Sequence, residues 1–268
     1  MDKPTMFEPY QAASDIFVIP SYFPIPGLGI LPINAFVLKA AEPVLVDTGI
    51  GPLTDEFLPQ LSSVIDPEDL RWLWVTHDDP DHVGSLHRLL DEFPRLRLIT
   101  TFLGVGKMSV SCPPPLGRTY LLNPGQSLAV GDRMLTAVRP ATYDAPETTG
   151  FFDSKSRAFF SADSFGALMS EPVEDAAEIN PEDLRRGMIT WTTVDSPWLH
   201  SIDLDKFSET LNHLRDMSAE VVLSSHLPAA RGMTDTLLSY LAAVPTTSPF
   251  VGFDQPTFES MLAQMNAR

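Results

Sequence analysis

Six consecutive residues constrain this chain more than any other segment. His77-Asp78-Asp79-Pro80-Asp81-His82 sets two imidazoles and three carboxylates directly after the apolar run Trp72 to Thr76. A loop at the end of a strand and the start of a helix lets such side chains converge without running polar groups through a core. A packed interior has no use for so dense a set of ionisable groups. An acidic turn that caps the following helix would account for Asp79 or Asp81, since carboxylates suit a helix N-terminus. It accounts for neither histidine.

Two later residues stand in similar places. Asp163 follows Phe160-Ser161-Ala162, and His226 follows the apolar strand pattern Val221 to Ser224. Each ends an apolar run and precedes a loop, the position from which a side chain reaches a shared site on one edge of a fold. Taken singly, each reads equally well as a cap or a hydrogen-bonded strand end. Their order behind the first cluster favours a common site.

The remaining pattern supplies the scaffold. Strands are predicted over Ile16 to Ile19, Ala35 to Lys39, Val44 to Asp47, Trp72 to Thr76 and Leu96 to Thr101, with helical spacing over Leu53 to Ile65 and Val83 to Phe93. Ser127 to Val138 reads as a hairpin turning at Gly131-Asp132, and Thr149 to Ser161 as a second strand pair. A helix over Asp203 to Met217 then leads into Val221 to Ser224. Strands followed by helices, twice over, fit an α/β chain with two β-sheets between helical layers, read as one domain over 1–268. Residues 171–199, with a helical piece at Pro181 to Ile189, read as an excursion that covers the site. Residues 227–268 read as a helical tail, with pieces at Thr234 to Val244 and Gln255 to Asn266.

Composition narrows the function. The 35 acidic residues against 18 basic give a net charge of −17, which opposes contact with nucleic-acid phosphates or anionic lipid. Metals and small molecules suit it better. The single cysteine, Cys112, allows no internal disulfide and no thiolate cage. The N-terminal MDKPTMFEPY lacks the basic start and apolar run of an export signal, so a cytoplasmic protein is expected. The most apolar stretch, Ile16 to Leu38, is cut by Pro20, Pro24, Pro26 and Pro32 and is expected to form strands and a surface loop, with no membrane span.

In the order His77…Asp79…Asp81-His82…Asp163…His226, with Val44-Leu45-Val46-Asp47-Thr48-Gly49 ahead of it, the chain resembles the metallo-β-lactamase superfamily. The resemblance runs from about Asn34 to His226 and implies an αββα sandwich. An acid at Asp79, where the superfamily has a second histidine, is similar to the branch of flavodiiron and oxygen-binding diiron proteins. So are Asp163-Ser164-Phe165-Gly166 and Asp144-Ala145-Pro146-Glu147-Thr148, although that branch carries a histidine where this chain has Asp144. The resemblance implies that His77, Asp79 and Asp144 hold a first metal, that Asp81, His82 and His226 hold a second, and that Asp163 bridges them. It implies for Asp47 a supporting role behind the metal-binding loop.

Four aspartates would be neutralised by two divalent cations, and metal removal is expected to destabilise the chain. The set is harder than the histidine-rich site of zinc hydrolases, which favours iron, with manganese or zinc as alternatives. Three functions follow in order of preference: a diiron centre that binds or reduces dioxygen or a related small oxidant, a metal-hydroxide hydrolase of an ester, thioester, lactone or phosphoester, and a non-enzymatic metal- or oxygen-binding protein. In each the reactive species belongs to the metals, and no protein nucleophile is expected. No flavodoxin-like segment follows His226, so an external electron donor is expected for the redox reading. The related diiron proteins pair head to tail, which extends the option of a homodimer to this chain. Tyr143, Trp191, Trp198 and His200 are candidates for the pocket wall, with solvated surface the plainer reading of His200.

Overall fold

A computed structural model describes residues 3–266, so that Met1, Asp2, Ala267 and Arg268, the ends of the 1–268 span, lie outside the described residues. The first sheet contains β1 (Thr5–Met6), β2 (Tyr10–Ala13), β3 (Ile16–Ile25), β4 (Gly29–Leu38), β5 (Val44–Val46), β6 (Trp72–Trp74), β7 (Arg97–Thr100) and β8 (Thr119–Leu121), in the order β1-β3-β4-β5-β6-β7-β8 with β2 paired to β3. The second contains β9 (Ser127–Ala129), β10 (Met134–Val138), β11 (Gly150–Asp153), β12 (Ala158–Phe160), β13 (Val221–Leu223) and β14 (Ala230–Arg231), in the order β14-β13-β12-β11-β10-β9. The helices are α1 (Thr54–Val64), α2 (Leu86–Glu92), α3 (Phe102–Ser111), α4 (Pro181–Asp195), α5 (Leu204–Asp216), α6 (Thr234–Ala243) and α7 (Gln255–Asn266). Among the described residues no helix is long and apolar enough to cross a membrane.

The layers follow from alternation along the strands. In β6, Trp72 and Trp74 face the core between the sheets, while Leu73 turns to the opposite face and packs with Phe57, Leu61, Leu86, Leu89 and Met108 from α1, α2 and α3. In β13, Val221 and Leu223 join the same central core, while Val222 turns outward to Leu184, Met188, Leu211 and Leu237 from α4, α5 and α6. Strands buried on both faces need apolar residues at every position, which is why these runs are continuous rather than alternating. Three apolar layers between four layers of secondary structure make the αββα sandwich that the sequence leads one to expect.

Strand direction positions the site. β5, β6, β7 and β8 run parallel, as do β12 and β13. The loops leaving β5, β6, β12 and β13 carry Asp47, His77 to His82, Asp163 and His226 to one edge of the sandwich.

Three local expectations are corrected. Ile16 to Leu38 does form strands, but they run further than expected, a hairpin of two ten-residue strands in which the surface loop shrinks to the turn between Ile25 and Gly29. Its prolines are tolerated because they fall at one parity of the ladder, Pro20 opposite Asn34, Pro24 opposite Ile30 and Pro32 opposite Tyr22. At that parity N–H groups point away from the partner strand: those of Asn34 and Ile30 donate to Ser225 and Met169 instead. A residue without an N–H loses nothing to its partner strand there. The second helix starts at Leu86 rather than Val83, because the backbone of 82–84 is occupied elsewhere. His82 O accepts from Thr48 N, and Gly84 N donates to Gly49 O at 2.8 Å. A Cβ on Gly84 would lie 2.3 Å from Gly51 N, so only glycine permits that approach. The helical piece at Pro181 continues past Ile189 to Asp195.

Candidate metal centre

The loop after β6 is anchored before it offers any ligand. Asp47, held at φ 55, accepts from the backbone N–H of Thr76 at 2.8 Å, from Thr76 Oγ1 at 2.8 Å, and contacts His82 Nδ1 at 2.9 Å. With Nδ1–H donating to that carboxylate, His82 turns its Nε2 lone pair toward the cleft. His226 is oriented in the same way from the other sheet, its Nδ1 lying 2.7 Å from the carbonyl of Pro32. Asn34 holds that loop by donating to Ser224 O at 3.1 Å and Leu227 O at 2.8 Å.

Asp163 is the common point. Nε2 of His77 lies 3.1 Å from Asp163 Oδ2, while Nε2 of His82 and His226 lie 3.1 Å and 3.2 Å from Oδ1. Asp81 Oδ2 is 3.6 Å from both His82 Nε2 and His226 Nε2. His77, His82, Asp163 and His226 are all buried. Nevertheless His77 Nε2, His82 Nε2 and Asp163 Oδ1 make no well-aligned hydrogen bond among the described residues, only these close ion-pair contacts with one another. An unsatisfied buried polar atom costs about 1–3 kcal/mol, so three of them pointing at one space fit a metal-binding cleft and fit a packed core poorly.

The electrostatics agree. Burial pushes the Asp163 carboxyl up, but the imidazoles of His77, His82 and His226 more than offset it and hold it well below the usual range. Burial pulls the His226 imidazole down, and Asp163 outweighs it, leaving it pushed up to about 9. The same balance of burial against Asp163 raises His77, and Asp163, Asp81 and Asp47 together raise His82 further. Protons take the place at these nitrogens that a cation would otherwise hold.

The other end of the cleft is more open. Asp79 and Asp144 are 31% and 32% exposed, and with His77 they place ligand atoms within 4.8 Å of one another. His77 Nε2 is 3.9 Å from Asp144 Oδ1. Asp79 also meets a cation that the sequence reading did not anticipate: Lys107 Nζ on α3 lies 2.7 Å from Asp79 Oδ1 and 2.6 Å from the buried Glu147. Phe102 to Ser111 gives no helical signal in the sequence, because its apolar residues follow no clean stripe and Gly104 and Gly106 interrupt it. Burial raises the Asp144 carboxyl, and the neighbouring Asp163 and Asp79 add to that, whereas Lys107 offsets the burial of Asp79 and leaves it lowered.

The aromatic candidates divide. Trp191 stands 5.0 Å from the His226 ring, edge to face, and fills the space beside Gly166, where a Cβ would come within 2.6 Å of the indole. Trp198 packs with Tyr143 at 5.1 Å and donates to the Tyr143 carbonyl at 2.8 Å, which braces the residue before Asp144. His200 is half-buried and its Nε2 has no hydrogen-bond partner among the described residues. Cys112 Sγ lies 3.5 Å from His87 Nδ1, a pairing across two helices invisible in the linear sequence.

One residue at this edge was missed altogether. Asp195, the last residue of α4, places a carboxylate oxygen within 4.8 Å of those of Asp144 and Asp163. Burial pushes its carboxyl up to about 7, with the charges of Asp163 and Asp144 adding to the rise. The signal was present in the spacing: Leu184, Met188, Trp191 and Asp195 continue one helical stripe, buried at its start and reaching the cleft at its end.

A two-sheet sandwich with histidines and carboxylates gathered at the ends of β5, β6, β12 and β13 defines a protein of the metallo-β-lactamase fold. Residues 31–226 match the family model described as ODP family beta lactamase, and the chain belongs to that family. Its curated relatives are flavodiiron proteins. It is 39% identical over 71 residues to a flavo-diiron protein of Clostridium acetobutylicum, covering 26% of this chain and 18% of that one. It is 24% identical over 155 residues to the rubredoxin-oxygen oxidoreductase of Megalodesulfovibrio gigas, covering 58% of this chain and 39% of that one. Among solved structures, the rubredoxin oxygen:oxidoreductase of Desulfovibrio gigas shares the fold with a TM-score of 0.77 at 19% identity, over 88% of this chain and 61% of that chain. The chain thus spans well under half the length of these curated relatives.

Proposed function

We propose that this chain is a lactamase-like unit holding a dinuclear iron centre that binds or reduces dioxygen or a related small oxidant, any electrons coming from a donor outside this unit. The observation that carries the reading is the convergence of three buried imidazoles on Asp163, two of their nitrogens and one carboxylate oxygen lacking any other partner. His82, His226 and Asp81 would hold one metal, His77, Asp79 and Asp144 the other, and Asp163 would lie between them. The names of the relatives, a flavo-diiron protein and a rubredoxin-oxygen oxidoreductase, support iron and an oxygen-linked reaction.

Two bound irons would supply electrons and open coordination positions at which a small oxidant is held. The protein's own residues set the conditions for that. Asp47 and Pro32 O fix the imidazole tautomers of His82 and His226, so that Nε2 faces the cleft. Trp191 shields His226 on its ring face. The side between Asp79, Asp144 and Asp81 is the more exposed one, from which a small molecule and water would reach the metals. Lys107 keeps Asp79 charged.

The test is metal content and visible absorption of protein purified without added metal and without oxygen, before and after air. Two irons per chain with an air-dependent spectrum, discharged by a chemical reductant, are expected. Two zincs with turnover of an ester or phosphoester would replace this reading with hydrolysis.

A further inference from the structure

At the first metal position the chain has Asp144 where the branch it resembles carries a histidine, and the fold brings a further carboxylate beside it from α4. Asp195 lies on α4, outside every loop that carries the other candidate ligands. Its carboxylate oxygen is within 4.8 Å of those of Asp144 and Asp163. Asp144 and Asp163 also flank the buried Nε2 of His77, which lies 3.1 Å from Asp163 Oδ2 and 3.9 Å from Asp144 Oδ1.

The like charges of Asp163 and Asp144 act on this group, and the His226 imidazole offsets them only in part. Lys107 reaches Asp79 and Glu147, and among the described residues Asp195 makes no ion pair. Among the described residues its side chain accepts one hydrogen bond, from the hydroxyl of Ser196, 3.0 Å from Oδ2. The position is also unfavourable for an anion by itself. Asp195 closes α4, and a negative charge at a helix C-terminus opposes the macrodipole. A half-buried carboxylate placed at the wrong end of a helix, against two others, breaks three local rules at one residue. Such departures are found where function compensates for them.

We propose that Asp195 is a ligand of the first metal, standing in for the histidine that the related branch carries where this chain has Asp144. The inference rests on the dinuclear reading above. The first position would then offer one imidazole and four carboxylates, His77 with Asp79, Asp144, Asp163 and Asp195, against two imidazoles and two carboxylates at the second. A donor set so rich in oxygen selects hard divalent ions, iron or manganese, over zinc. The two positions differ enough to fill separately, the imidazole-rich one first.

The experiment loads metal-free protein with ferrous or manganous ion alone, without oxygen, and follows binding by calorimetry and metal analysis in the wild type, Asp195→Asn and Asp81→Ala. The wild type is expected to bind two ions per chain in two resolved steps. Asp195→Asn should keep the tighter step and weaken the other at least about tenfold, while Asp81→Ala should lose the tighter step. Melting of the metal-free proteins gives a second readout: Asp195→Asn, which removes a charge offset only in part, is expected to melt no lower than the wild type. Two wild-type steps in Asp195→Asn would overturn the ligand assignment and leave the dinuclear reading intact. A metal-free Asp195→Asn that melts lower with both steps unchanged would overturn it too, making Asp195 a residue of helix packing. Absence of binding in the wild type would overturn both.

Discussion

The two ends of the cleft are built from the same kinds of residue and obey different physics. At the inner end His82 and His226 are buried, each pinned through Nδ1 by an acceptor fixed in the sheets, Asp47 at the end of β5 and the Pro32 carbonyl on β4. At the outer end Asp79 and Asp144 are about a third exposed, and a lysine shares Asp79. A ligand held by a second partner in a strand is preorganised and loses little freedom when metal binds, whereas an exposed aspartate on a loop must be ordered by the metal itself. The inner end therefore sets affinity. The outer end decides which ion enters and what reaches it.

The largest effect should come where the two ends meet. Asp163→Ala removes the carboxylate that touches all three imidazoles and should abolish binding of both metals, measured as ions per chain. Retention of one ion would separate the ends more sharply than the geometry suggests. Chelation of wild-type protein should lower stability by about 2.7 kcal/mol for each site held at a hundredfold excess over its Kd, or a fall in Tm of roughly 5–10 °C, measured calorimetrically. An unchanged Tm would break the comparison at its root. Next in size is the asymmetry: His226→Ala should leave at most one weakly bound ion, and Asp144→Ala should leave one tightly bound.

The pH response distinguishes the protons at the inner end from the metal that displaces them. For His226 the folded value of about 9 lies above the ordinary 6.5. Its stabilising contribution is complete below 6.5 and is lost as pH rises through 9, amounting to on the order of 3 kcal/mol. Metal-free protein should therefore melt progressively lower between pH 6.5 and 9, while metal affinity rises over the same range because the imidazole must give up its proton to bind. Parallel pH profiles with and without chelator would contradict this. The smallest effect on metal affinity is expected at Lys107→Met, which frees Asp79 from its competing cation and should tighten the outer metal, seen in the weaker step of a metal titration; the same change leaves the buried Glu147 unpaired and should lower Tm.

How much of this was legible in the sequence differs between the two ends. Ligand-bearing loops after β6, β12 and β13 announced themselves, because each ends a continuous apolar run, and a strand buried on both faces leaves no polar residue except at its end. The supports of the inner end were obscured. Pro32 looked like part of a surface loop, since proline is depleted in strands, and only the ladder parity shows that its carbonyl is free to meet His226. Asn34 carried no signal at all, being one polar residue in an apolar run. At the outer end Lys107 and Asp195 were hidden because each is brought in by a helix from a distant part of the chain, and their charges have meaning only beside the residues they meet.

By itself the sequence determined the fold class, the family and the order in which histidines and carboxylates leave the strands, because hydrophobic period and residue order are properties of the line. Only the tertiary structure decided that three imidazoles crowd one carboxylate without hydrogen-bonding partners of their own, that a proline carbonyl and Asp47 aim two of them, and that a lysine and a helix-end aspartate reach the weaker half of the cleft. Those facts depend on distances between residues far apart in sequence, and they follow from the packing of two sheets and their helices against one another.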